Sequence, residues 1–457
     1  MITSCVGYCQ MLKFMAGQGI LIPMPLITPN IPGFVRFILH RLKAAGHQAY
    51  IVGGAVRDAF LKRAITDWDV ATSASRDKIR AIFLDTKQFS LKHDTVTLVH
   101  TGHHFEITPF RGEEKGLLSD LSLRDFTINA MAFDPDNNKV IDLYGGESDI
   151  DKRVIRAVGD PDARFREDPL RLLRGVRLAT ELWFRIDGKT MSSLGGSASL
   201  LSSVAPERIR EELMKILVAP RPSSAFNIMV RTGLLKAFLP ELLEGYLKRQ
   251  NRYHRYTIFK HILETVGHVR PEPILRLTAL LHDIAKPRPR IKKDGKWRFY
   301  GHEKESALLA EEILNRLRFS KAVITKVTNL IRHHMIGYHS GWSDGAVRRL
   351  IRRVGAEQIN DLLVFRHADL LAHGLTDRNF ELSMELEMRV NEQIRHQALT
   401  RRQDLAIDGN VIMEIAGLSP GPEVGRILRD LNEKVLDHPE LNTREDLMAL
   451  LRRTKIP

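Results

Sequence analysis

The chain has 457 residues, 43% hydrophobic and 27% charged, a balance that excludes a mostly disordered protein and leaves room for about three domains. The formal net charge of +14 at pH 7 favours a polyanionic partner, nucleic acid ahead of an anionic membrane surface. Only Cys5 and Cys9 are cysteines, which excludes a disulfide framework or a cysteine-rich zinc site and fits a reducing cytoplasm.

Residues 1–30 are apolar, but Gly17, Gly19, Pro23 and Pro25 interrupt them and Lys13 is their one positive charge, a poor signal peptide. No run of about 18 apolar residues follows, so no membrane-spanning helix is expected. Helical spacing over 34–45 is closed by Gly46. Residues 49–52 then read as a buried strand entering Gly53-Gly54, followed by a helix over 56–62 and strands over 68–71, 95–100 and 104–109. From about residue 160 the periodicity is helical, over 170–182, 207–217, 274–284, 303–317, 346–354, 360–371 and 381–395. The fold class expected is α+β: a small mixed or antiparallel-sheet head followed by a long all-α body.

The run Gly53-Gly54-Ala55-Val56-Arg57-Asp58 joins a strand to a helix. Glycines let backbone approach a phosphate, and a helix start offers free N–H groups, with Arg57 adding charge. By itself the run also fits an ordinary tight turn. Asp67-Trp68-Asp69 follows, and in a strand residues i and i+2 share a face, so both carboxylates point the same way and favour a divalent cation between them.

These residues resemble a known family. Residues 51–72 are similar to the first motif of class II tRNA nucleotidyltransferases and their bacterial poly(A) polymerase relatives. The resemblance continues through Arg124-Asp125-Phe126-Thr127-Ile128-Asn129-Ala130, Asp142-Leu143-Tyr144-Gly145-Gly146, Glu167-Asp168-Pro169-Leu170-Arg171 and Glu207-Arg208-Ile209-Arg210-Glu211-Glu212. Lys62 departs from it, standing where the family usually has glycine. The resemblance implies that Asp67 and Asp69 hold two Mg²⁺ ions as the catalytic pair. It implies that Gly54 and Arg57 contact the triphosphate, and that Arg124, Asp125 and Asn129 hold ribose and phosphate. Glu106 is expected as a third carboxylate if its strand pairs alongside.

Asp168 and Arg171 lie three residues apart and are expected on adjacent helix positions, with Arg174 and Arg177 continuing the step as further nucleotide-binding candidates. A carboxylate and a guanidinium can imitate a Watson–Crick edge for cytosine or adenine, the family role of the matching pair. Asp168 before Pro169 also reads as a helix cap. Arg208 and Glu212 are expected to brace this neck.

Further on, His261, His282-Asp283 and Asp369 resemble, in order, the metal ligands of an HD-type phosphohydrolase domain, with His302 and His333-His334 as extra candidates. Basic clusters with tyrosines at 246–256, and a basic loop at 286–298, are expected to contact RNA phosphates.

The resemblance implies an extension at 1–30, a nucleotidyltransferase head at 31–158 and a helical neck at 159–245. An HD domain at 246–375 and a helical tail at 376–457 complete the chain. It implies an enzyme adding C and A to the 3′ end of tRNA from CTP and ATP. A bacterial poly(A) polymerase, or an HD phosphohydrolase with a nucleotide-binding head, are the alternatives. Between Arg111 and Asp120 stand eight residues, 112–119. Full CCA-adding relatives carry a longer segment there and CC-adding relatives lack it, which raises the expectation of CC-only addition.

Overall fold

The computed structural model describes residues 30–90, 94–112, 116–251, 254–293, 295–374, 378–395 and 405–453. The expected extension at 1–29 and the centre of the short segment, 113–115, lie outside the described residues. The chain divides into two compact units: one runs to Arg171 and takes in Leu182–Ser193, the other comprises Leu172–Glu181 and the chain from Leu194. No helix among the described residues is long and apolar enough to cross a membrane.

The first unit is built on a seven-stranded sheet. Its strands are β1 (Ala49–Val52), β2 (Asp69–Thr72), β3 (Gln88–Ser90), β4 (Val96–His100), β5 (His103–Pro109), β6 (Met131–Asp134) and β7 (Lys139–Asp142), in the order β3-β4-β5-β2-β1-β6-β7. Every neighbouring pair is antiparallel except β2 with β5, so the sheet is mixed, as expected. Apolar β1, with three of four residues buried, sits next to the middle because both its edges are paired. Thr101 and Gly102 both have positive φ, the two-residue turn that matches strand twist, which joins β4 to β5. Val52, Ala71, Phe110, Leu117, Leu121 and Ala132 form one core of this unit. Strands β3, β6 and β7 were not foreseen: they are short, and the period-2 signal needs several residues to emerge.

The second unit is almost entirely helical. The expected helices are present with ends shifted by a few residues, and Ile258–His268 and Lys321–His333 are additional. The expected basic loop is corrected: Arg290–Lys293 and Lys296–Phe299 form an antiparallel hairpin, whose short strands turn at Gly295 with φ 72°. Its signal was brief: Lys296-Trp297-Arg298-Phe299 alternates cation and aromatic over only four residues, and Lys292-Lys293 breaks the alternation in the other strand. The tail has its own core of Ile407, Ile412, Val424, Ile427, Leu431, Val435, Leu447 and Leu451.

Candidate active site and metal centre

The head site assembles where β1 ends. Val52 is paired with Asp69, and Asp69 with Glu106 across the parallel β2–β5 step. Asp67 and Trp68 lead into β2, which starts at Asp69; Trp68 is buried at 6% while Asp67 is exposed and Asp69 half-buried. Burial, then the charges of Asp69 and Asp67, hold the Glu106 carboxyl above the usual range. Glu106 therefore joins the pair as a third carboxylate. Three carboxylates brought together in this way form a donor set suited to hard divalent cations.

The glycine turn packs against this cluster. Gly53 has φ 75°, and a Cβ placed on it would meet Arg124 Nη1 at 2.8 Å and Asp69 Oδ2 at 3.5 Å. Only glycine fits both demands. Sequence reasoning singled out Gly54, whose Cβ would lie 3.4 Å from Arg57 Nη2; Gly53 is the tighter position. Arg57 donates to Asp58 at 2.8 and 3.0 Å and through Nη1 to Asn129 Oδ1 at 2.8 Å. Asn129 in turn donates to Asp125 Oδ1 at 3.1 Å, which also accepts from the Phe126 amide. Arg57, Asn129 and Asp125 are thus one hydrogen-bonded chain, with Asp125 and Asn129 buried.

Asp120 was missed. Buried at 1%, it accepts from Arg124 at 3.0 and 3.2 Å and from Arg111 at 2.7 Å. Burial pushes its carboxyl up, but Arg124 and Arg111 outweigh this and hold it below the usual range. Its spacing of four residues before Arg124 on a helical approach was the available signal.

At the neck the expectation of adjacent helix positions is corrected. Helix α1 (Pro161–Glu167) ends before Asp168, and helix α2 (Arg171–Leu182) starts after Pro169. Proline disfavours α geometry in the residue before it, and Asp168 is extended at φ −144°, ψ 96°. Its Oδ1 accepts from the Leu170 amide at 3.2 Å, the cap arrangement. Arg171 donates to Glu167 at 3.0 Å and to the carbonyls of Arg164 and Leu123 at 3.2 and 2.8 Å. In the second unit, Arg177 donates to Glu181 at 2.8 Å and to Glu212 at 2.7 Å, with Glu212 buried. Glu212 is a brace as expected, with Arg177 as its partner; Arg174 lies one turn before Arg177 on α2.

The helical unit gathers the HD residues from helices α3 (Ile258–His268), α4 (Pro273–Leu281), α5 (His302–Arg316), α6 (Lys321–His333) and α7 (Ile359–Leu371). His261 and His282 place Nε2 at 3.0 and 3.4 Å from Asp369 Oδ1, and at 3.6 and 3.4 Å from Asp283 Oδ2. On the other side of the same carboxylate, His302 and His334 approach Asp283 Oδ1 at 3.3 and 3.9 Å. His334 rather than His333 faces the centre; His333 bonds the Asn329 carbonyl. Nδ1 of each of the four inward histidines meets a backbone carbonyl, of Ala372, Ala279, Phe299 and Ile331 respectively, at 2.7–3.2 Å. A carbonyl can only accept, so Nδ1 carries the proton and Nε2 is left for a metal. Burial pulls His282 down, yet Asp283 and Asp369 override it and raise it to about 10, so a cation bound between those carboxylates takes the place of the Nε2 proton; burial and then the charge of His282 push His334 down to about 3. Lys286 reaches Asp283 Oδ2 at 2.7 Å. Two ligand groups sharing Asp283 result, His261-His282-Asp283 and Asp283-His302-His334.

Family models match in the same order: the poly A polymerase head domain over 49–156, a probable RNA and SrmB- binding site of polymerase A over 183–245, and the HD domain over 256–374. The CCA-adding enzyme of Streptococcus thermophilus is 30% identical over 434 residues, 92% of this chain and 96% of that protein. That of Levilactobacillus brevis is 31% identical over 432 residues, 91% of this chain and 96% of the relative. Among solved structures, the Bacillus stearothermophilus CCA-adding enzyme in complex with CTP superposes with a TM-score of 0.70 at 27% identity, covering 92% of this chain and 96% of that one.

Proposed function

The chain belongs to the CCA-adding enzyme family of tRNA nucleotidyltransferases, and from that premise we propose that it adds C and A to the 3′ end of tRNA from CTP and ATP, without a nucleic-acid template and in the cytoplasm. The observation that carries this reading is the convergence of Asp67, Asp69 and Glu106 beside a glycine turn that Arg124 abuts.

Asp67 and Asp69, with Glu106, would hold divalent ions, Mg²⁺ by the resemblance. Such ions supply a more acidic RNA 3′-hydroxyl and a neutralised triphosphate. Arg124, oriented by Asp120, and Arg57, oriented by Asn129, bring cations to the turn where a triphosphate approaches. Gly53 and Gly54 keep that approach free of side chains. Asp168 and Arg171 read the base edge, and both exchange backbone partners for the incoming base. Arg174 and Arg177 extend this basic strip along the same helix, with Arg177 held by Glu181 and Glu212. In the helical unit His261, His282, Asp283 and Asp369, with His302 and His334, form a divalent-metal site suited to phosphoester hydrolysis.

The short segment 112–119 favours a second reading, addition of CC only. Supplying tRNAs that lack the whole end, or end in one C or in CC, with CTP or ATP separately, tests both. Efficient A addition to CC-ended tRNA supports full CCA addition; its absence, with C addition intact, supports the second. Extension of a generic oligo-RNA with many A residues would instead identify a poly(A) polymerase.

A further inference from the structure

The hairpin between the HD aspartate and His302 carries Arg290, Lys292, Lys293, Lys296 and Arg298, with Asp294 its one acid. Its register pairs Arg290 with Phe299 and Lys292 with Trp297, so these four share a face. The cations of that face lie against an aromatic ring: the Arg290 guanidinium is 3.5 Å from the Trp297 ring centre and Lys292 Nζ 5.9 Å from it. The other face carries Ile291, Lys293, Lys296 and Arg298, all exposed, with Lys293 directly opposite Lys296. Like charges facing each other across strands destabilise a hairpin, and none of these three cations is ion-paired to a described residue.

The equally basic helix Asp344–Val354 is a useful contrast. Its Arg348 and Arg349 bond to Gln393 and Asp437, and Arg352 to Asn432 and Glu433, so three of its four arginines have partners within the chain. The hairpin's outer cations have no such ion pairs among the described residues. The foot of the hairpin is joined to the metal centre: Phe299 offers its carbonyl to His302 Nδ1 at 2.7 Å, and Lys286 sits 5.4 Å from the Phe299 ring while bonding Asp283. Tyr300, 64% exposed, stands at that foot as a surface on which a base can stack.

We propose that the outer face of this hairpin, Lys293, Lys296 and Arg298, binds the phosphate backbone of an RNA strand beside the HD centre. The assignment rests on the reading that this chain acts on RNA. A strand contact carried by the second unit, in addition to that of the nucleotide-adding head, follows from it.

The test uses the full chain. Lys293→Gln/Lys296→Gln/Arg298→Gln is compared with the parent, and with Lys304→Gln/Lys321→Gln/Arg332→Gln, which removes three exposed charges elsewhere in the same unit. Binding of labelled tRNA and of a single-stranded oligo-RNA is titrated by anisotropy at several salt concentrations. Each lost phosphate contact on a single strand flattens the log–log salt dependence by about 0.7, so the hairpin variant should show a slope shallower by about 2 and roughly tenfold weaker binding at about 100 mM salt. The control should keep the parental slope. Lys293→Arg/Lys296→Arg, which preserves charge, should keep it too, separating charge from folding. Equal slopes in hairpin and control variants overturn the proposal. So does an unchanged RNA slope accompanied by lost retention on phosphatidylserine vesicles. Nucleotide addition by the parent is assayed alongside: if it fails while the RNA slopes differ, the reading of the head is wrong and the hairpin assignment stands.

Discussion

Asp67 and Asp69 are exposed or half-exposed beside Glu106, and nothing in the core depends on them. Asp67→Ala or Asp69→Ala should therefore lower nucleotide addition by at least about 10³-fold with tRNA binding nearly intact, because affinity comes from the basic surface. A loss of less than about tenfold in either variant would sink the assignment. Glu106 makes a prediction about pH. Its carboxyl is raised by burial and by its two neighbours, so the folded chain keeps a proton that the unfolded chain has lost. Its contribution to stability is fully present below the ordinary glutamate range and is lost as pH rises through the raised value. In thermal melts with chelator, Glu106→Gln should be more stable than the parent above that window, with the difference vanishing below it. Parallel curves at every pH would show that the three carboxylates do not interact.

Among the elements, the short helix Gly54–Phe60 ends on Lys62, whose φ of 53° is left-handed. A side chain there is strained, and glycine is the usual occupant of this position after a helix. That explains in physical terms why the family usually has glycine there; nothing in the structure explains the lysine. Lys62→Gly should stabilise the chain by about 0.5–1 kcal/mol, read from urea melts; a loss would mean that the Lys62 side chain is held by something other than its backbone. The tail helix Pro422–Asp437 is closed by Arg348, which is buried and donates to the Leu436 and Asp437 carbonyls at 2.6 and 3.1 Å and to Gln393 at 2.5 Å. Carbonyls at a helix end have no partner within the helix, so Arg348→Leu should cost about 2–3 kcal/mol and speed amide exchange across residues 422–437. Arg349→Leu, whose partner is an exposed carboxylate, should cost under about 1 kcal/mol. Equal effects of the two would contradict the distinction between a buried cap and a surface pair.

For the molecule as a whole, the head carboxylates and the HD ligands lie in different compact units, and each centre is assembled by its own elements. His282→Ala should abolish divalent-metal retention at the HD centre, measured by elemental analysis, without lowering nucleotide addition; parallel loss of both in a folded variant would refute their independence. The order of parts, a mixed-sheet head and then helices, was legible in the chain, and the chain also singles out Asp67, Asp69, Arg57, Arg124, His261, His282, Asp283 and Asp369 as candidates. Such residues announce themselves because chemistry restricts both their type and their spacing along a strand or helix. The positions of Glu106, Asp120 and His334 were another matter. Glu106 is opposite Asp69 only because β2 runs parallel to β5. Asp120 is recognisable as the anchor of Arg124 only once its burial is known, and His334 is separated from His333 by which side of helix α6 packs inward. Local periodicity carries residue type and face, whereas strand pairing and helix packing join residues far apart in the chain. For that reason the sequence alone determined which chemistry this protein carries, and only the tertiary structure decided which side chains complete it and which arginines are spent holding the fold.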